Sequence, residues 1–387
     1  MPLIKGIAKE IVDRLEKRSV NLGQGRNVGV IAFIDEDKYI SKYAKIVDGG
    51  LSGLPYRKLL ATVVGCNSGS LLELINLLPE NAVIISTIPG KTGIITSTGG
   101  INIFDKAIIK VGIKNKKAVA AGILYPETKL FNLASHSEKM QLKNLAAKTM
   151  DEEKESLREI SKLHLKYLEI SSSLDIVDIP AENIENIYKD KFKKLNHIRI
   201  QSSKRKNILA IDKVFAEELV GKSNRVEQGR EVAAIGLVNE NGIVERAGEI
   251  VVGGLGYVPS RLLASSYKDI SEYSLRKAYT DIIPENAVIV HTHPGGTGVM
   301  HMGDAMAGPG TWGRAIIAIG HNKDGEIKGA TVIRYKDKLA ELANEYEDID
   351  QDFFKAETTA EEAAIRKRRY EIAQEFTDLC EEIEIRE

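Results

Sequence analysis

Cysteine is nearly missing: Cys66 and Cys380 are the only two in 387 residues, and they stand far apart. That excludes a disulfide framework and a paired-cysteine metal motif, and a reducing cytoplasm fits such usage best. Long apolar runs are missing as well, since nothing approaches the roughly 18 consecutive apolar residues of a spanning helix. The start, MPLIKGIAKEIVDRLEKR, is charged every few residues and has no apolar export core, so neither a membrane nor an export signal is expected. An excess of one charge is absent too. Fifty-four Lys and Arg stand against 55 Asp and Glu, which gives no composition-level reason to expect a nucleic-acid partner. Trp312 is the lone tryptophan and is expected to pack in a core.

What is present is length and internal similarity. A chain of 387 residues that is 43% apolar is long enough for two domains with connecting helices. GQGRNVGVIAF from Gly23 aligns with EQGREVAAIGL from Glu227, and IVDGGLSGLPYRKLL from Ile46 aligns with IVVGGLGYVPSRLLA from Ile250. LPENAVIISTIPGKTGI from Leu78 then aligns with IPENAVIVHTHPGGTGV from Ile283, and AIIKVGI from Ala107 with AIIAIGH from Ala315. Four collinear matches spaced about a domain apart mark a duplication rather than a solenoid. Each copy reads as a short amphipathic helix, a hairpin, a Gly-rich turn, a helix, a buried strand and further strands. In the second copy Asn241-Gly242 and Asp324-Gly325 are hairpin signals, AVIVHTH suits a central strand, and residues 262–279 read as one helix.

Residues 138–170 carry Leu157, Ile160, Leu163 and Tyr167 at helical spacing, which predicts one amphipathic helix bridging the copies. From Thr359 onward, Ile365, Ile372, Phe376, Leu379 and Ile383 form a second stripe. An intramolecular packing face is the first expectation for both, and either could support a homodimer.

The chemistry concentrates in HTHPGGTGVMHMGD at 291–304, which holds three of the seven histidines. On a strand, His291 and His293 present their imidazoles to one side. Pro294 ends the strand, and the glycines after it let the chain turn back, so that Asp304 can return as a third ligand. Two histidines and one carboxylate leave a fourth tetrahedral position of Zn²⁺ to water, the pattern of a catalytic rather than a structural site. Hydrolysis also needs a group that moves protons, and Glu231, at the head of the copy's first strand, is the candidate; Glu227 and Glu249 are fallbacks. The GGTG at 295–298 lacks the Lys-Ser/Thr of a phosphate loop and reads as a flexible rim. His321, His136, His164 and His197 are expected to face solvent, and Lys204-Arg205-Lys206 reads as a solvated linker.

Over residues 225–335 this pattern resembles the JAMM (MPN-plus) metalloproteases, whose motif is an upstream Glu, then HxHP, six residues, Ser, two residues and Asp. The resemblance implies an α/β fold of two tandem MPN/JAMM-like, cytidine-deaminase-like mixed-sheet domains joined by helices. The boundaries it suggests are a degenerate first domain at 1–130, a helical linker at 131–207, a catalytic domain at 208–338 and a C-terminal helical segment at 339–387. By resemblance His291, His293 and Asp304 hold Zn²⁺, Glu231 is the general base, and the substrate is a protein or peptide-like amide or isopeptide. His301 stands where the family has Ser: its imidazole can donate the oxyanion hydrogen bond, or it can take the metal's open position and leave a binding or scaffold protein. Projected onto the first copy, Glu231, His291 and His293 fall on Asn27, Ser86 and Ile88, and His301 and Asp304 on Thr96 and Gly99. Pro294 and Gly295 keep their counterparts Pro89 and Gly90, so backbone-shaping residues persist where the polar set does not.

Overall fold

The computed structural model describes residues 3–51, 53–95, 100–184, 207–226 and 229–387. The first half runs β1 (Gly6–Ala8), α1 (Lys9–Leu22), β2 (Val28–Ile34), β3 (Tyr39–Tyr43), β4 (Val47–Asp48), α2 (Tyr56–Val64), α3 (Leu71–Asn76) and β5 (Ala82–Pro89). It continues through α4 (Ile101–Phe104), β6 (Ile108–Lys114), β7 (Lys117–Leu124), α5 (Thr128–Leu145), α6 (Met150–Ile170), β8 (Ser172–Leu174), β9 (Ile176–Val177) and β10 (Glu182–Asn183). The second half repeats this order from β11 (Ala210–Asp212) through α7 (Lys213–Arg225), β12 (Val232–Val238), β13 (Ile243–Arg246), β14 (Val251–Val252) and α8 (Ser260–Tyr267). Next come α9 (Leu275–Lys277) with a π-helical turn to Ile282, β15 (Ala287–Pro294), and α10 (Met302–Ala305) with a π-helical turn to Gly310. The chain ends with β16 (Ala315–His321), β17 (Ile327–Ile333), α11 (Asp337–Phe353), α12 (Thr359–Thr377), β18 (Glu381–Glu382) and β19 (Glu384–Arg386).

The result is a mixed α/β chain with one sheet per half. The first sheet is ordered β8-β7-β6-β5-β2-β3-β1-β9, and the second β18-β17-β16-β15-β12-β13-β11-β19. β8 and β9 are separated only by Asp175 yet sit at opposite ends of the order, so one short segment spans both edges and nearly closes the sheet. β18 and β19, separated by Ile383, do the same for the second. Near-closure hides the unpaired N–H and C=O groups that an open edge would expose.

Strand alternation divides each core in two. Along β12 and β15, Ala233, Ile235, Ala287 and Ile289 face the cluster formed with α8, α11 and α12. Val232, Ala234, Val288 and Val290 face the other cluster, under Phe215 and Leu219 of α7. Trp312 is buried at 3% exposure and stacks on Tyr279 with ring centroids 4.5 Å apart. Ile372 and Phe376 of the C-terminal stripe are fully buried in the same cluster as Met300 and Ala305, so that stripe packs within the chain.

Two helical expectations need correction. Residues 138–170 are not one helix: α5 ends at Leu145, and Thr149 opens α6 by accepting from the Glu152 N–H while Glu152 accepts from the Thr149 N–H. Residues 262–279 are likewise broken, because Ser274 caps a new start by accepting from the Lys277 N–H. The stretch 131–207 also contains strands, β8 and β10, that hydrogen-bond to β7 and β3 of the first sheet. Strands of two or three residues are too short to show alternation in sequence.

The halves hold each other by exchanged carboxylates. α2 and α8 both begin after a proline, Pro55 and Pro259, and neither has a side-chain cap of its own. Glu347 on α11 accepts from the Arg57 and Lys58 N–H groups at 3.1 Å each, and Glu138 on α5 accepts from the Leu262 N–H at 3.1 Å. Each half thus supplies the acceptor that the other half's helix start lacks, where a carboxylate also meets the positive end of the helix dipole. Arg57 and Arg261, 2% and 0% exposed, complete the seams: Arg57 donates to Asn344 and Arg261 to Ser135 across the halves. Replacing Glu347 by Ala removes the acceptor of two partly buried N–H groups and is expected to cost about 1–3 kcal/mol. A thermal or urea melt checks this against Glu36→Ala at an exposed position, which should leave the transition unchanged.

Candidate metal centre

β15 lies between antiparallel β12 and parallel β16, with Ala233 opposite His291 on one side and Ala318 opposite it on the other. Small neighbours on both strands leave room for imidazoles. His291 and His293 share a face by strand alternation, and Glu231, two residues before Ala233, falls on that face as well. The Glu231 backbone is fixed by bonds in both directions: its N–H to the Gly254 carbonyl at 3.0 Å and its carbonyl to the Gly253 N–H at 2.7 Å.

The return of the chain is set by close backbone packing. Gly298 has φ +86°, and a Cβ there would meet the Ala318 carbonyl oxygen at 2.9 Å. A Cβ on Gly320 would lie 2.2 Å from the Gly298 nitrogen, so the loop after Pro294 lies directly on β16 and only glycine fits at both points. The chain then reaches His301, whose N–H donates to Asp304 Oδ2 at 2.9 Å and leaves Oδ1 facing the histidines.

His291 Nε2 lies 2.9 Å from His293 Nε2 and 3.2 Å from Asp304 Oδ1, and His293 Nε2 lies 3.7 Å from the same oxygen. The outer nitrogen of His291, Nδ1, is engaged with the Ile317 carbonyl at 2.9 Å, which fixes that ring with Nε2 inward. One ligand atom from each of these three residues falls within 4.8 Å of the others, close enough to bind a metal ion. Burial works to raise the Asp304 carboxyl, yet hydrogen bonds with His291 and His293 hold it far below the ordinary carboxylate range. Burial works to lower His293, but its hydrogen bond and charge contact with Asp304 carry it above its ordinary value. Burial pushes the Glu231 carboxyl up, opposed by the two imidazoles. Two imidazole nitrogens and one carboxylate oxygen crowded around one point are a donor set that suits a divalent cation.

His293 and Asp304 border a cleft of about 550 Å³ lined also by Glu231, His301, Thr297, Val299 and five glycines, among them Gly229, Gly256 and Gly303, while His291 lies buried behind them. His301 is exposed on its rim, its Nδ1 3.4 Å from Thr377 Oγ1 of α12. It stands outside the three-residue group. Glu249 is exposed and does not border the cleft, and Glu227 lies outside the described residues. His136 and His164 are exposed as expected, while His197 and the 204–206 basic run lie outside the described residues.

His321 does not face solvent. It is 2% exposed at the end of β16, and its Nε2 lies 2.9 Å from Ser223 Oγ. Ser223 in turn accepts from Thr292 Oγ1 at 3.3 Å, and Thr292 accepts from the Val232 N–H at 3.2 Å. This network sits on the face of β15 opposite the histidines and leaves no local pattern in the sequence. Its one legible trace was the repeat, because Ser19, Thr87 and the Val28 N–H form the same chain in the first half.

The first half keeps the frame and loses the ligands. Asn27 there makes the same two backbone bonds, with Gly50 and Gly49, that Glu231 makes with Gly254 and Gly253. Ser86 replaces His291, and beside it on β6 Lys110 replaces Ala318. The Lys110 ammonium donates to Ser86 Oγ at 2.6 Å and has no ion-pair partner among the described residues. The counterparts of His301 and Asp304, Thr96 and Gly99, lie outside the described residues. No protein-family model, curated protein or solved structure matches the chain.

Burial pushes the Lys110 ammonium down from 10.5 to about 8. The folded chain therefore holds this proton less tightly than the unfolded chain, and stability rises with pH between those two values. Lys110→Met is expected to stabilise the protein at neutral pH by up to about 3 kcal/mol and to flatten that rise. Urea melts from pH 7 to 11 on both proteins check the outcome; an unchanged slope in the variant would assign the rise to another group.

Proposed function

We propose that this chain is a zinc-dependent hydrolase of amide or isopeptide bonds, a JAMM-like metallopeptidase whose first half is an MPN-minus-like degenerate copy. The observation that carries the reading is the convergence of His291 Nε2, His293 Nε2 and Asp304 Oδ1 at the floor of a cleft that Glu231, His293 and Asp304 line. Those three side chains would hold Zn²⁺. When bound, zinc supplies a Lewis acid and brings the pKa of water to about 7.

The protein's own groups divide the remaining work. The Ile317 carbonyl keeps His291 aimed inward, and the His301 N–H keeps one Asp304 oxygen turned away from the ligand point. Glu231, whose carboxyl is raised by burial, would take the proton of the attacking water and deliver it to the leaving nitrogen, since an amine leaves poorly until protonated. His301 on the rim would donate to the developing oxyanion in place of the family's Ser. The run of glycines along the cleft admits an extended backbone, which favours a protein or peptide-like substrate over a bulky one.

Zinc content by elemental mass spectrometry tests the reading first: about one ion per chain is expected, lost in His291→Ala/His293→Ala. No zinc after reconstitution of folded protein would favour a binding or scaffold role for both halves. With metal retained, Glu231→Gln should lower kcat on any cleaved amide by about 10²- to 10⁴-fold. Equal turnover by that variant removes Glu231 from the proton path.

A further inference from the structure

On the first half, away from the metal centre, α1 and β3 border two adjoining clefts of about 370 and 580 Å³. The first is lined by Arg14, Lys17, Arg18, Lys45, Tyr43 and Asn183 among others, with no acidic side chain. The second shares Arg18 and Lys45 and adds Lys58, Lys355 and Asp48. Some of this charge is already matched: Arg14 pairs with Glu10, Arg18 with Asp48, and Lys58 with Asp348. Lys17 and Lys45 have no ion-pair partner among the described residues.

Two further observations separate this groove from an ordinary basic surface. Tyr43 in its lining is 1% exposed, and its hydroxyl has no hydrogen bond of ordinary geometry, although the Asn183 side chain stands beside it. A buried hydroxyl without a partner costs free energy unless something supplies an acceptor. The duplication provides a control on charge. At the positions of Arg14, Lys17, Arg18, Asn21 and Lys45 the second half has Glu218, Gly221, Lys222, Arg225 and Glu249, and opposite Gly236, where the first half pairs Ala32 with Tyr43, it has Arg246. The same scaffold therefore carries four cations and a phenol in one half, and three cations against two carboxylates in the other.

We propose that this groove binds a small phosphoryl-bearing anion. Two unmatched lysines balance a dianion, while the Tyr43 hydroxyl and the Asn183 amide are neutral donors for its further oxygens, a demand that a single carboxylate does not fill. Arg14, 5.7 Å over the Tyr43 ring, walls the site and keeps the phenol in place. The assignment is independent of the hydrolase reading, since no residue is shared with the metal centre.

Titration calorimetry with inorganic phosphate and with pyrophosphate, at constant ionic strength and after metal removal, tests it. Saturable binding of either probe is expected, weakened at least about tenfold, or ~1.4 kcal/mol, by Lys17→Ala/Lys45→Glu. Tyr43→Phe should weaken it severalfold without lowering the melting temperature, because the lost hydroxyl has no partner in the free protein. Neither probe binding, or equal binding by wild type and both variants, would overturn the proposal. Equal heats from chloride at matched ionic strength would likewise reduce the groove to general charge screening.

Discussion

The metal centre depends on the two-residue period of one strand. β15 is covered on both faces, so its residues must alternate between two cores, and that alternation puts His291 and His293 on one side and Val290 and Thr292 on the other. A one-residue slip would exchange the imidazoles for Thr292 and place the histidines under α7. Register is therefore the constraint on which the chemistry rests, and it is held three times over. β12 pairs along one edge, β16 along the other, and the Thr292 hydroxyl bonds to the Val232 N–H and to Ser223 on the far face. The same hydroxyl chain holds the first half, where no ligands remain, so its role is to fix the strand rather than to serve the site.

The loop that brings Asp304 back follows from the same strand. Gly298 lies on the backbone of β16 at Gly320, and Gly93 lies on Gly112 at the matching place in the first half. A side chain at either contact would lift the loop by ångströms, which is more than metal coordination tolerates. The C-terminal helix α12 supports this loop from outside, with Phe376 buried against Met300 and Ala305, and the Cys380 thiol against the Met300 backbone. The centre is thus built from a strand, a pinned loop and a helix that begins more than fifty residues further along the chain.

Sequence alone made the repeat, the central strand and the convergence of His291, His293 and Asp304 readable, because each rests on local spacing: HxHP on a strand, glycines after it, and matched segments at nearly constant offset. The helix breaks at 146–149 and 268–274 were less legible, since apolar periodicity ran across them while capping by Thr149 and Ser274 decided the boundary. The edge strands β8, β9, β18 and β19 were not legible at all. They are formed by pairing partners far away in sequence, and Glu381, Glu382 and Glu384 have little strand preference of their own. His321 was misplaced for a related reason: a hairpin signal follows it, but its own position is the last pleat of β16, under α7, where Ser223 awaits a partner.

The two halves also show how one frame accepts opposite electrostatic solutions. In the second half a carboxylate held far below its ordinary pKa and two imidazoles gather around one point. In the first half, His291's counterpart is a neutral hydroxyl and the adjoining strand carries an ammonium instead of a methyl group. A buried ammonium and a divalent ion would repel each other strongly in such surroundings, so Lys110 and a metal exclude one another at this place in the fold. The absence of the His-His-Asp set and the presence of Lys110 are then one difference seen from two strands. It accounts for a first half that keeps the backbone bonds around Asn27 and Pro89 without the side-chain set that those bonds position in its twin.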